Sequence, residues 1–154
     1  MKEVVLSIDV EDWYHLDYFN RKECEIDYSL LDGLDTYIKI IQKYNISSSF
    51  FVLGEIAARN INFYKDLVSC NYDISSHGWD HKRPLSMSIT DFKKDIEKSY
   101  QVMQEINGKN EFGYRAPCFS LDEERHKLLK NYFQYSSSKI NFTDHPLYGS
   151  LNLK

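Results

Sequence analysis

Tyr72-Asp73-Ile74-Ser75-Ser76-His77-Gly78-Trp79-Asp80-His81 is the stretch on which the reading of this chain turns. A short strand-like run, Tyr72 to Ser75, leads directly into two histidines separated by three residues. At that spacing two imidazoles can converge on one metal ion. Gly78 between them marks a strand end turning into a loop or a first helical turn. A catalytic metal site takes about three protein ligands and keeps one position open, so the pair is one ligand short and the third must come from another segment. Taken alone, such a pair is more often two surface histidines or a helix-face coincidence than a metal site. His-Glu-x-x-His is absent, which removes the helical metalloprotease reading.

Working outward, the other chemically notable residues also stand at the ends of strand-like runs. Val4 to Ile8 reads as a buried strand of a sheet covered on both faces, and it ends in Asp9-Val10-Glu11-Asp12. One acid at a strand end caps the following turn, but three in four residues are costly to bury unless paired or metal-bound. Residues 16–29 read as a loop, followed by a helix of about 14 residues from Leu30 to near Asn45 on its apolar spacing. Ser48 to Leu53 is a second strand, and Glu55 to Cys70 is helical with a break near Asn60. A helix capped by Thr90 and ended by Gly108 comes next, with Lys93 in the place where a capping box would need an acid. Phe112 to Arg115 reads as a fourth strand, residues 122–131 as a short helix, Tyr132 to Ser136 as a fifth strand and Lys139 to Lys154 as loop. This alternation predicts an α/β fold of βαβ units with mainly parallel strands. Asp9, Glu11 and Asp12 then follow strand one, His77 and His81 strand three, and Arg115 strand four. In parallel α/β folds those strand ends share one face, where active sites are built.

Bulk properties narrow the function classes. With 154 residues the chain forms a single domain with a real core, and its net charge of −4 gives no electrostatic case for nucleic acid or an anionic membrane. Three cysteines without a Cys-x-x-Cys indicate neither a disulfide framework nor a thiolate zinc site. No apolar run approaches the roughly 18–20 residues of a membrane span, and acids interrupt the first apolar run, so no signal peptide is read and a cytoplasmic location is expected. The 12 tyrosines, nine phenylalanines and two tryptophans fit sugar binding and core packing equally.

Four stretches, Leu6–His15 (LSIDVEDWYH), Ser49–Arg59 (SFFVLGEIAAR), Ile74–Pro84 (ISSHGWDHKRP) and Gly113–Ser120 (GYRAPCFS), stand in one order and at one spacing. Together they resemble the polysaccharide deacetylases of carbohydrate esterase family 4, the NodB-homology group, in the subgroup whose first motif reads Asp-Val-Glu-Asp-Trp. The resemblance implies a partial distorted (β/α) barrel over residues 1–154, lacking the C-terminal part of the family's barrel. It implies a metal-dependent hydrolase that removes acetyl groups from N-acetylated sugars of a cell-surface polysaccharide. Carried over by position, Asp9 matches the catalytic base, Arg115 the arginine that holds it, and His77 and His81 the metal-binding histidines. The third ligand is Glu11 or Asp12, and the metal is a divalent ion, zinc first. The backbone N–H of Cys118 matches the amide that polarises the acetyl carbonyl, with Pro117 and Trp13 also on the substrate side.

The departures from the pattern are specific. The family's general acid is a late histidine, whereas His145 stands in a context like one of the family's mid-chain loops and reads as a loop histidine. Ser136 stands where relatives usually carry an aspartate that tunes the acid–base network, and Asn71-Tyr72 replaces a common Gly-His. A half-barrel is expected to expose strand edges and an apolar interior, to be covered by a second copy or a complementing fragment unless the chain adopts an open three-layer α/β arrangement. The rival readings are a weakly active or inactive metal- and sugar-binding remnant, and a hydrolase of another non-peptide C–N bond.

Overall fold

The computed structural model describes residues 4–16, 18–25 and 27–140. Three parallel strands, β1 (Leu6–Val10), β2 (Ser48–Val52) and β3 (Asp73–Ser76), lie side by side in chain order. Helix α1 (Leu34–Lys43) connects the first two, and α2 (Gly54–Arg59) and α3 (Ile61–Ser69) connect the second and third. After β3 come the 19-residue α4 (Ile89–Asn107) and the short α5 (Glu123–Leu129). The progression is the α/β arrangement the sequence implied.

Several details differ from the sequence reading, each for a local reason. The first strand begins at Leu6, leaving Val4 and Val5 exposed, and it runs on to Val10, so Asp9 lies within the strand. The helix expected from Leu30 opens as a 3-10 turn over Leu30–Gly33 before α1 begins. Ser88, not Thr90, caps α4, because its hydroxyl accepts the Asp91 N–H at 3.1 Å and returns a bond to the Asp91 carboxylate at 2.7 Å. The far end of α4 stops at Gly108 in a left-handed conformation (φ 66°), as glycine permits. The fourth and fifth strands shrink to single parallel bridges, Ser76 to Tyr114 and Tyr114 to Ser136. Pro117 has no N–H to extend the ladder, and a 3-10 turn over Pro117–Phe119 carries the chain off the sheet.

Strand register sorts the side chains. Ile8 pairs with Phe50 and Phe50 with Ile74, and these join a core completed by Ile38 and Ile41 of α1, Tyr64 and Leu67 of α3, and Phe92, Ile96, Met103 and Ile106 of α4. The 3.6-residue period of α4 puts those four residues on one stripe. The alternate set, Ser7 and Asp9, Ser49 and Phe51, Asp73 and Ser75, shares the opposite face. Tyr135 continues it: its ring lies over Gly113 and edge-on to Phe51, and its hydroxyl bonds to Asp73 and Ser75. The expectation of an apolar interior is therefore corrected. Helices cover one face of the sheet, and the other is lined by hydroxyls and carboxylates around Phe51.

One half-buried acid packs against this scaffold. Burial drives Asp95 of α4 up to about 7, against the opposing effect of the Trp79 N–H that it accepts. Its ordinary value is 3.8, so the native state binds this proton more tightly than the unfolded chain. The Asp95 contribution to stability is then full below about pH 4 and declines as pH rises toward 7. Asp95→Asn should remove that decline. With a chelator present, its thermal midpoint is expected to exceed that of the natural chain by several degrees at pH 8 and to converge with it below pH 4.

Candidate metal centre

Each polar residue of interest is placed by the end of a strand. Asp9 is the fourth residue of β1, Glu11 follows its last residue, and His77 follows the last residue of β3. The His77 N–H donates to the Val52 carbonyl at 2.9 Å, extending the ladder by one bond. The chain then turns through Gly78 (φ 78°) to His81, itself left-handed at φ 66°. A non-glycine residue holds that conformation only where its surroundings impose it.

Glu11, His77 and His81 converge. Their ligand atoms all lie within 4.8 Å of one another. Glu11 Oε2 is 2.8 Å from His81 Nε2 and 3.6 Å from His77 Nε2, and both imidazoles are almost fully buried. That oxygen is buried without a hydrogen-bond partner of standard geometry despite these short separations, the condition of a donor atom left for a ligand to satisfy. Tetrahedral ligands on a zinc-sized ion stand roughly 3.3 Å apart, a value that the two Glu11–histidine separations bracket. The His77 Nδ1–H donates to the Arg115 carbonyl at 2.8 Å, a bond that leaves Nε2 as the lone-pair nitrogen. Burial would raise the Glu11 carboxyl, but polar contact with, and charge on, His77 and His81 outweigh it and hold the group well below the usual carboxylate range.

Asp12 is not part of this group, and its candidacy as a ligand is corrected. Its buried carboxylate accepts the backbone N–H groups of Trp13 at 3.0 Å and Leu30 at 2.9 Å, together with the Ser29 hydroxyl. It caps the 3-10 turn over Trp13–His15 and ties that turn to residues 29 and 30. These bonds occupy both carboxylate oxygens.

Asp9 sits beside the cluster, Oδ2 3.9 Å from His77 Nε2, and its other oxygen takes a 2.6 Å ion pair from Arg115 Nη1. Two hydroxyls that sequence reading did not single out hold the guanidinium. Nη2 donates to Ser7 at 3.0 Å and to Ser137 at 2.9 Å. The same guanidinium lies 3.9 Å above the Phe51 ring. Ser137 belongs to the Tyr135–Ser138 run, whose serines were the only available signal. Ser136 bonds to Ser138, and Ser138 accepts the Ala116 N–H, both at 2.9 Å.

The remaining expected residues are distributed around this centre. Pro117 packs against Gly78, its ring carbons 3.5 Å and 3.6 Å from where a side chain there would begin. Cys118, partly buried, is left-handed at φ 51° in the turn that follows. Trp13 stacks on Tyr28 at 5.7 Å, meets Phe19 edge-on at 5.2 Å and donates from Nε1 to the Tyr28 carbonyl. A hollow of about 280 Å³ beside His81 is lined by His15, Leu16, Phe19, Arg21, Asp80 and Lys82. In its wall, buried His15 and Arg21 share the Glu55 carboxylate at 2.8 Å and 2.9 Å, another node absent from the sequence reading. His145 lies outside the described residues.

The family model for polysaccharide deacetylase matches residues 26–134, and this chain belongs to that family. The peptidoglycan deacetylase of Helicobacter pylori is 25% identical over 117 residues, covering 75% of this chain and 40% of the relative. The chain thus spans less than half the length of that relative. Peptidoglycan deacetylase PdaC of Bacillus subtilis superposes with a TM-score of 0.65 at 17% identity, over 85% of this chain and 55% of that one. A CE4 family pseudoenzyme of Bacillus anthracis superposes at 0.67 with 17% identity, over 86% and 41%. These likenesses establish the fold. No helix among the described residues is long and apolar enough to cross a membrane.

Arg115 joins four groups, so its removal should be felt well beyond one ion pair. Arg115→Ala is expected to cost about 2 kcal/mol or more in urea unfolding, because Asp9 loses its charged partner. Arg115→Lys should recover only part of that loss, since an ammonium cannot reproduce the fork that reaches Asp9, Ser7 and Ser137 together.

Proposed function

We propose that this chain hydrolyses the acetamide of N-acetylated sugars in a cell-surface polysaccharide, using a divalent cation held by Glu11, His77 and His81. The observation that carries the reading is the convergence of these three donor atoms beside the Asp9–Arg115 pair, in a member of this family. A divalent cation there, zinc first among the candidates, supplies Lewis acidity that lowers the pKa of water towards about 7 and polarises the acetyl carbonyl. Asp9 is the general base, its free oxygen directed to the His77 side of the cluster. Arg115 fixes the plane of that carboxylate, and Ser7 and Ser137 fix Arg115. The backbone N–H of Cys118 supplies a donor to the developing oxyanion. Trp13 and Pro117 are the further residues this reading assigns to the sugar.

A second reading, a sugar- and metal-binding remnant with little turnover, is favoured by Ser136, which offers a hydroxyl where relatives usually carry a carboxylate. Two measurements separate the readings. The purified natural chain should carry close to one equivalent of divalent metal, and His77→Ala and His81→Ala should lose it. Acetate release from an N-acetylglucosamine oligomer should fall by about 10²- to 10⁴-fold in Asp9→Asn. Metal without measurable acetate release selects the remnant, and a folded natural chain without metal rejects both.

A further inference from the structure

Gly78 and Trp79 lie within the link between the two histidines, and their backbone is anchored on every side. The Gly78 N–H donates to Ser76 Oγ at 3.2 Å, and the Gly78 and Trp79 carbonyls accept from Gly54 at 2.8 Å and Glu55 at 3.0 Å. The remaining group, the Trp79 N–H, donates across to α4, where Asp95 Oδ2 accepts it at 3.2 Å. A side chain at Gly78 would meet that same oxygen at 3.3 Å, so the carboxylate is packed against the turn itself. The Trp79 ring is wedged beside Gly54, where an added Cβ would come within 2.6 Å of it, and Lys98 Nζ lies 3.5 Å from the ring centroid. Asp95 and Lys98 thus form the back wall of a turn whose front holds the histidines.

This turn needs a wall. His81 is held left-handed, a conformation that costs a non-glycine residue about 1 kcal/mol or more and relaxes when its restraints go. Asp95 is half-buried, and its carboxyl is committed to a backbone amide midway between two histidines. We propose that Asp95 is a positioning residue for the cation-binding histidines: by accepting the Trp79 N–H it sets the placement of His81 relative to His77 and Glu11. The proposal rests on the reading that these three residues hold a cation.

The test is a cobalt(II) titration of the chelator-treated 154-residue chain, followed by the visible absorption of the bound ion. The natural chain, Asp95→Ala and Asp95→Asn are compared, with circular dichroism reporting the fold. Asp95→Ala should bind cobalt about 10- to 100-fold more weakly while staying folded, the usual effect of removing an outer partner of a metal site. Asp95→Asn, which keeps an acceptor oxygen, should bind as the natural chain does. Equal binding by Asp95→Ala overturns the positioning role, as does a loss in Asp95→Asn as large as that in Asp95→Ala. If Asp95→Ala does not fold, hydrogen exchange of the Trp79 amide in the natural chain decides. Slow exchange supports the anchor, and exchange at the rate of an unprotected amide overturns it. A natural chain that takes up no cobalt overturns the cation reading itself, and the same exchange measurement still shows whether Asp95 holds the turn.

Discussion

The guanidinium of Arg115 is the constraint on which the site depends. It reaches Asp9 on β1, Ser7 two residues before it, Ser137 at the last bridge of the sheet and the face of Phe51 on β2. The backbone of the same residue receives the His77 Nδ1–H and donates to Ser76. One residue therefore fixes the orientation of the candidate base, the tautomer of a candidate ligand and the spacing of four neighbouring segments. A planar fork with five donors can do this, and a single ammonium cannot.

That arrangement requires a sheet with two different faces. The helical face carries Ile8, Phe50, Ile74 and their partners, burying apolar area at about 25 cal/mol per Å². The opposite face is serine-rich, and its few large groups are engaged: Phe51 under Arg115, and Tyr135 over Gly113 with its hydroxyl on Asp73. Burial raises the Tyr135 hydroxyl first, and its bond to Asp73 adds to that, so it remains a neutral donor. Polar residues on this face stabilise the carboxylates and the guanidinium that a greasy interior would strand.

Apart from Asn45 and Asn71, a residue type that tolerates it, left-handed non-glycine backbone gathers where the chemistry is expected. His81, Cys118 and Phe119 are left-handed without being glycine, and Gly78 takes the same region. Neighbouring groups hold the histidine turn: Arg21 bonds to the Asp80 carbonyl at 2.5 Å, and Gly54 and Glu55 bond to the carbonyls of Gly78 and Trp79. Stability stored in the helical core is thus spent on a few residues that would not adopt these conformations alone.

The sequence by itself determined the first three parallel strands, the helices between them and the histidine pair, because periodicity and turn residues are local properties of the chain. Four motifs at one spacing were enough to mark the family. The tertiary structure decided what local pattern could not. Glu11 and Asp12 are adjacent acids with the same intrinsic chemistry, and only the fold turns one toward the histidines and the other to cap a turn at Ser29 and Leu30. Ser7, Ser137 and Asp95 were silent in sequence, since hydroxyls and acids are common on strand and helix surfaces. Their roles come from partners as many as 108 residues away, which no window along the chain can contain.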